Sequence, residues 1–596
     1  METATDASPA EPDISHVNPA DSATWFGHPR QLARLFTTEM WERFGFYGMR
    51  ALLTLYLAKH FLFNDQTTTG LYGGFTALVY LTPLIGGLIA DRYLGSKKSV
   101  KFGAILMSLG YFILCFGGET AKPFATIEGT RYEIVVDKVS GGDQQYVLDN
   151  GRRLAVKGEQ DGTVTLTDPE GQVARTIAKG GFVPDGERSM FFTMLMLIGL
   201  SCITIGNGFF KPNISTMVGA LYPKGDRRRD AGFTIFYMGI NVGSLFSQLL
   251  CPLLAVTVGW WAGFGLAAIG MLVSFSLIQF DGGKLAGYGE APAGQAKDRS
   301  LLIYASALLA VPVAWFLFVN LMDTAPHAAG SGLTGYLIGL PIMGKVLFGS
   351  FILAVPGILI WAWKDGSRIE FQMMLAAMVM IVFNVVFWTL FEQAGSSLTL
   401  FADRNTDLSI FGLFNISAGQ TQFFNAFFIV ALAPLFSILW NGLAKRGIEP
   451  STPVKFGIAL IGVGLGFLAL VYGTKFAGAD SRVSVWWLAL LYLIHSAAEL
   501  CISPVGLSMI TKLSLARVVG LMMGLWFLSI ACAQYVAGLV AQVASVETVG
   551  GQVTNLEVSL NTYAGVFWTI GIAAAVLGAV LLVISPLIKR WMHGVN

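Results

Sequence analysis

Charge is what this sequence has least of. Lys, Arg, Asp and Glu make up 13% of its 596 residues, about half the share of an ordinary soluble domain. A water-soluble enzyme of this size is excluded. Neither sign is in excess: 39 basic residues stand against 37 acidic ones, a net charge of +2. No electrostatic footprint for a nucleic-acid partner follows from that balance. The five cysteines (Cys115, Cys202, Cys251, Cys501, Cys532) lie in apolar runs without paired spacing, so neither a disulfide framework nor a metal site is expected. The first 31 residues are polar, carry Pro9, Pro12 and Pro19, and do not resemble a cleavable signal peptide. No period of 20–50 residues repeats, which excludes a solenoid. What abounds is apolar or small. Hydrophobic residues reach 54% and aromatic ones 12%, and mean hydropathy is +0.62. The 69 glycines run well above the usual ~7% of residues, a density that lets membrane helices approach closely. The chain reads as an all-α polytopic membrane protein.

A spanning helix needs about 20 apolar residues. Windows of that size predict spans at 32–61, 69–90, 100–118, 189–210, 231–256, 262–280, 301–321, 337–363, 371–400, 420–441, 454–474, 485–511, 517–543 and 563–588. That is about fourteen. Basic residues orient them: Arg92, Lys97, Lys98, Lys101, Lys224, Arg227, Arg228, Arg229, Lys297, Arg299, Lys364, Arg368, Lys445, Arg446, Lys512, Arg517, Lys589 and Arg590 all fall in connections on one side. Both termini are therefore expected in the cytoplasm.

One connection differs from its surroundings. Residues 119–188 carry nine basic and twelve acidic residues, too many for lipid. Alternating runs at Tyr132–Val136, Arg153–Val156 and Thr163–Thr167 are separated by Asp149-Asn150-Gly151, Asp161-Gly162 and Pro169-Glu170-Gly171. Such runs and turns predict β-hairpins, hence a small β insert on the outer face. It is either a docking module for an unknown partner or a tolerated insertion. The Gly- and Pro-rich stretch 281–299 reads as a linker between halves. The expected organisation is a cytoplasmic tail (1–31), helices one to three (32–118), the insert (119–188), and helices four to six (189–280). A cytoplasmic linker (281–300), an extra helix pair (301–367), and helices seven to twelve with a tail (368–596) complete it.

Ionisable residues within apolar spans are costly, and their default reading is functional. Glu39, Glu42, Arg43, Phe46 and Arg50 are three, four or seven residues apart, so they share one helix face. Lys211, Glu392 and Glu499 are buried in other apolar runs. Seven charges spread over both halves point to a transport pathway rather than to static fasteners. Four negatives against three positives also leave one carboxylate without a cation, and Glu39 and Glu42 are the expected proton acceptors. No Ser-His-Asp set, metal-spaced cluster or phosphate loop lies within the spans, so the chain is expected not to be an enzyme and to need no cofactor.

Glu39-Met40-Trp41-Glu42-Arg43-Phe44 resembles the ExxERF signature of the proton-dependent oligopeptide transporters, a branch of the major facilitator superfamily. Gly87–Gly95 is similar to the superfamily loop motif after the second helix. Phe236–Gly243 resembles the family's fifth-helix signature, and the stretches around Trp388/Glu392 and Glu499/Ser503-Pro504 its seventh and tenth helices. The resemblance implies two six-helix bundles, with the additional helix pair of bacterial members, in the bacterial inner membrane. It implies import of di- and tripeptides with protons as the coupling ion. Arg43, Arg50 and Lys211 then resemble the patch for the peptide carboxylate, and Glu499 the partner of its amine, with Asn241, Asn425 and Ser503 beside them. Tyr47, Tyr80, Tyr237, Trp388 and Trp526 resemble pocket residues, Arg50 with Glu392 the outer gate, and Glu39, Glu42 and Arg43 the proton-coupling set. Two departures stand out: Phe46-Tyr47 replaces the common Tyr-Tyr, and Gly73 stands where some members carry a His. His495 is read as a satisfied buried histidine, with a proton relay as the alternative.

A di- or tripeptide offers only its charged ends as constant features, and cations opposite a carboxylate read those ends while aromatic walls accept varied side chains. A nitrate-like or other anionic cargo would use the same cations, but Glu499 would repel it. A receptor acting through the insert is the remaining rival.

Overall fold

Lipid offers a backbone no hydrogen-bond partner, so a spanning segment must satisfy itself as a helix. The computed structural model describes residues 24–139, 142–223, 226, 228–291, 298–322, 335, 338–502, 506–514 and 519–595. The apolar runs form α1 (Gln31–Lys59), α2 (Asp65–Ile89), α3 (Ser96–Leu114), α4 (Met190–Ala220), α5 (Arg228–Thr257) and α6 (Trp260–Gln279). There follow α7 (Ser300–Met322), α8 (Ile342–Asp365), α9 (Arg368–Phe391), α10 (Ser397–Asn405), α11 (Phe423–Lys445) and α12 (Thr452–Thr474). The last four are α13 (Val485–Ile502), the short α14 (Gly506–Leu513), α15 (Val519–Val543) and α16 (Leu556–Trp591). Among the described residues, 12 helical segments are long and apolar enough to cross a membrane. Two more, α1 and α3, have 29 and 19 residues but carry the buried charges of the first span and a Lys-rich start. Each of the fourteen predicted windows thus overlaps a helix, twelve of them long and apolar enough to cross. Of the orienting residues, Lys224, Arg227, Lys297 and Arg517 lie outside the described residues.

Between α3 and α4 the chain forms β1 (Lys122–Ile127), β2 (Thr130–Val139), β3 (Gly142–Asp149), β4 (Arg152–Gly158), β5 (Val164–Thr167), β6 (Val173–Ile177) and β7 (Phe182–Glu187). They pair antiparallel in the order β6-β5-β4-β3-β2-β1-β7. The expected Asn-Gly turn is present: Asn150 and Gly151 have φ of +49° and +83°, closing β3 on β4 with Asp149 opposite Arg152. Period-2 alternation gathers Ala125, Ile127, Ile134, Val147, Leu154, Val156, Val164, Leu166, Ile177 and Phe182 into one buried cluster. Val549 joins them from a distant hairpin, β8 (Thr548–Val549) and β9 (Gln552–Val553). The predicted runs fall on β2, β4 and β5, the third starting one residue before its strand; the other four strands went unpredicted.

The chain divides into two compact units. The first comprises Met1–Met49, Leu78–Phe116 and Leu195–Val319; the second comprises Arg50–Ala77, Gly117–Met194 and Asn320–Asn596. In each, paired glycines seven residues apart bring two antiparallel helices into backbone contact. In the first unit a Cβ on Gly103 would lie 2.5 Å from the carbonyl oxygen of Gly206, and one on Gly110 would lie 2.6 Å from that of Gly199. In the second, Gly464 sits against Gly571 with the same 2.6 Å spacing, and a Cβ on Gly578 would lie 2.8 Å from the oxygen of Gly457. At these eight positions glycine is required because the seams leave no room for a side chain.

The described first part of the expected linker, residues 281–291, is docked. After α2 a π-helical turn, Ala90–Leu94, ends at Gly95 with φ +72°. A Cβ there would lie 2.4 Å from the Glu290 carbonyl. Lys97 donates its backbone N–H to Gly289 O at 2.8 Å and its ammonium to Asp281 at 3.1 Å. Leu285 and Tyr288 are buried. These two apolar residues are why the polar segment docks instead of dangling.

Candidate functional site

In the first unit, α1 carries Glu39, Glu42 and Arg43 on its buried stripe, each at most 2% exposed. Arg43 pairs with Glu42 through Nε and through Nη2, the latter at 2.6 Å to Oε1. Glu39 Oε1 lies 3.4 Å from Arg43 Nε, while Glu39 Oε2 is buried with no hydrogen-bond partner among the described residues. Arg43 also donates to Asn207 Oδ1 of α4 at 3.2 Å, and Asn207 in turn donates to Val79 O. The guanidinium lies 5.0 Å from the Phe46 ring centre and 5.9 Å from that of Tyr47. Lys211 sits 4.4 Å over the Tyr80 ring. Of the expected pocket residues on α5, Asn241 donates to Tyr237 O on its own helix, and Tyr237 is exposed.

In the second unit, Arg50 makes a buried ion pair with Glu392 and donates from Nε to Tyr72 OH at 2.6 Å. Asn425 donates to Ser496 Oγ at 3.0 Å and to Glu499 Oε2 at 3.4 Å. Trp388 Nε1 donates to Asn384, and its ring packs on Phe387 and Phe391. Trp526 is buried. Ser503, with Pro504, lies outside the described residues. His495 is hydrogen-bonded through Nε2 to Val463 O at 3.0 Å and sits among Phe391 and Phe467. That arrangement favours the satisfied-histidine reading. A Cβ on Gly73 would lie 2.7 Å from Gly538 Cα, so no side chain fits there.

Sequence reasoning missed a third charged set. Arg404, at the end of α10, holds Asp65, at the start of α2, by two bonds of 2.7 and 2.6 Å, and both side chains are at most 2% exposed. Tyr563 OH lies 3.0 Å from Arg404 Nη1, and Asp65 accepts the Val546 N–H at 3.0 Å. Both charges stand at the ends of apolar runs, where a loop residue and a snorkelling cation look the same in sequence. Nearby, Lys59 pairs with Asp403 at 2.5 Å. Glu547, in the connection after α15, is partly buried, and that burial pushes its carboxyl up to about 7.

A profile of the POT family matches residues 97–285 and 350–556. An uncharacterized transporter of Bacillus subtilis (strain 168), YclF, is 31% identical over 96% of this chain and 96% of its own length. Dipeptide and tripeptide permease A of Klebsiella pneumoniae (strain 342) is 30% identical over 96% of this chain and 95% of its own. Among solved structures, a crystal structure of peptide transporter POT, in a Glu-to-Gln mutant form in complex with sulfate, aligns with a TM-score of 0.71. It is 28% identical and covers 98% of this chain and 100% of its own.

Proposed function

This chain belongs to the POT family, and on that premise we propose that it imports di- and tripeptides across a bacterial cytoplasmic membrane, coupled to protons. The observation that carries the reading is the buried Glu39–Glu42–Arg43 cluster with Lys211 in the same unit. A guanidinium held by two carboxylates is a switch: protonating one carboxylate loosens the cation, which then takes the peptide's C-terminal carboxylate. Glu39 and Glu42 are the proton acceptors, and the unpartnered Oε2 of Glu39 favours it as the first to be protonated. Arg43, Arg50 and Lys211 receive the peptide carboxylate, and Glu499 with Asn425 its amine. Tyr47, Tyr80, Tyr237, Asn241, Trp388, Ser503 and Trp526 complete the binding set. Arg50–Glu392 closes the outer gate.

In this reading the two six-helix halves rock about the bound peptide, α7 and α8 are the extra pair, both termini are cytoplasmic, and the β insert is outside. The chain then performs transport and no chemistry, with protons rather than a cofactor. Uptake of a labelled dipeptide into proteoliposomes energised only by an imposed proton gradient tests this. Accumulation that unlabelled dipeptides fail to compete, or that persists unchanged after the gradient collapses, would overturn it.

A further inference from the structure

Between the start of α1 and the end of α6, in the first unit, lies a basic pocket of about 490 Å³. Its lining includes Arg30, Arg34, Lys284, Trp25 and Ala33 and, among the described residues, no carboxylate. None of the three cations takes part in an ion pair among those residues, whose nearby carboxylates are engaged elsewhere: Asp281 with Lys97 at 3.1 Å and Asp226 with Arg228 at 2.7 Å. Arg34 spends Nη1 on Leu277 O at 2.6 Å and Phe280 O at 3.2 Å, which fixes it against the end of α6. Arg30 and Lys284 are exposed. A second, apolar cavity of about 190 Å³ shares Trp25 and Ala33 with the first, and Leu32 and Phe36 of α1 and Ile235 and Met238 of α5 also line it.

The chain ahead of α1 is held there by a short hairpin, Thr24–Trp25 against His28–Pro29. His28 Nδ1 lies 2.8 Å from Tyr222 OH, and Arg228 donates to Gly27 O at 3.0 Å. Trp25 and Phe26 are exposed, with stacked rings 5.4 Å apart. Exposed aromatic residues beside cations at the end of a spanning helix suit the bilayer–water interface. Three like charges around one pocket draw an anion. A zwitterionic headgroup would press its own ammonium against them, and a free phosphate would leave the apolar cavity empty. A lipid with a net negative headgroup matches both: its phosphate meets the cations and its chain meets the apolar wall.

We propose that these two adjoining cavities are a binding site for an anionic phospholipid. The headgroup phosphate sits among Arg30, Arg34 and Lys284, and an acyl chain runs past Trp25 and Ala33 onto Leu32, Phe36, Ile235 and Met238. The bound lipid fastens the start of α1 to the end of α6 and to the docked segment 281–291. The inference rests on the chain's crossing a membrane and not on what it carries.

The test titrates the full chain, in detergent micelles, with phosphatidylglycerol or phosphatidylcholine and counts bound lipid by the mass of the intact complex. Saturable binding of phosphatidylglycerol is expected, at least about tenfold tighter than that of phosphatidylcholine. Arg30→Gln and Lys284→Gln should each weaken it about fivefold, and together about 25-fold. Lys445→Gln/Arg446→Gln, which alters exposed cations of the second unit, should bind as the unsubstituted chain does. Glycerol 3-phosphate, a headgroup without chains, should fail to displace the lipid at equal concentration. Hydrogen exchange on the unsubstituted chain supplies a readout free of variants: phosphatidylglycerol should protect residues 24–30 and 282–286 more than phosphatidylcholine does. Equal binding of the two lipids, an equal loss in the Lys445/Arg446 variant, displacement by glycerol 3-phosphate, or protection confined to other segments would overturn the proposal.

Discussion

The Asp65–Arg404 pair can be broken one partner at a time. Both side chains are at most 2% exposed, and two short bonds join them. Asp65→Leu leaves the guanidinium with Tyr563 as its hydrogen-bond partner, and stranding one member of a buried pair costs about 3–5 kcal/mol. Arg404→Met strands the carboxylate instead. Asp65 then keeps the Val546 N–H and its place in the first turn of α2, where a negative charge is worth about 0.3–1 kcal/mol. Its loss should fall at the lower end of that range. Removing both charges in Asp65→Leu/Arg404→Met strands no charge, leaving only the Val546 N–H and the Tyr563 hydroxyl short of a partner, and apolar replacement of a buried pair is often neutral. The double variant should therefore be more stable than either single one, with a coupling of about 3 kcal/mol or more, roughly two decades in an equilibrium constant. The assay is the fraction of chain surviving a temperature series in detergent, read by size exclusion. Losses that add in the double variant would refute the reasoning.

Four further outcomes follow from the geometry. Glu42→Gln, in the set that grips Arg43, should abolish accumulation driven by a pH gradient yet keep exchange of labelled for unlabelled dipeptide; accumulation at the unsubstituted level would remove Glu42 from the proton path. Glu392→Ala removes the carboxylate paired with Arg50 and should raise labelling of an outward-facing cysteine; unchanged labelling counts against the gate. The carboxyl of Glu547 rises from an ordinary 4.5 to about 7, so the folded chain holds the extra proton between those values and stability declines as pH rises through that window. Glu547→Gln should flatten the decline between pH 4.5 and about 7, and a profile identical to that of the unsubstituted chain would exclude the group. Gly464→Leu, whose Cβ would lie 2.6 Å from the Gly571 oxygen, should lower stability by about 1–3 kcal/mol or more, and a neutral result would mean the seam yields.

The helices were legible in the sequence because lipid imposes one solution on every apolar run of sufficient length. The β insert was legible only in part. Its Asn-Gly turn and alternating runs identify β2, β4 and β5. By contrast, β1 carries Pro123, β7 carries Pro184 and Gly186, and β3 opens with the polar Gly142-Asp143-Gln144-Gln145. Such strands exist because neighbours pair with them, which no local pattern announces. The charges of α1 stood out against an apolar background. Asp65 and Arg404 are 339 positions apart and each looks like a loop residue, so only the fold reveals them as a pair. Leu285 and Tyr288 were too few to mark a docked segment.

The glycine seams limit how this molecule can deform. Sliding one helix along another needs a layer of side chains that can change rotamers, and α3 with α4, like α12 with α16, has backbone against backbone at two levels one heptad apart. Each pair is a welded beam: it can tilt as a whole, but its members cannot shear. Bending is left to proline-interrupted stretches outside the seams, such as α2 at Pro83, α5 at Pro252 and α11 at Pro434, and α4 and α16 beyond their glycines at Pro212 and Pro586, where a missing hydrogen bond makes a natural elbow. Labels placed across a seam should keep their separation throughout a working cycle, while labels flanking those prolines record the stroke.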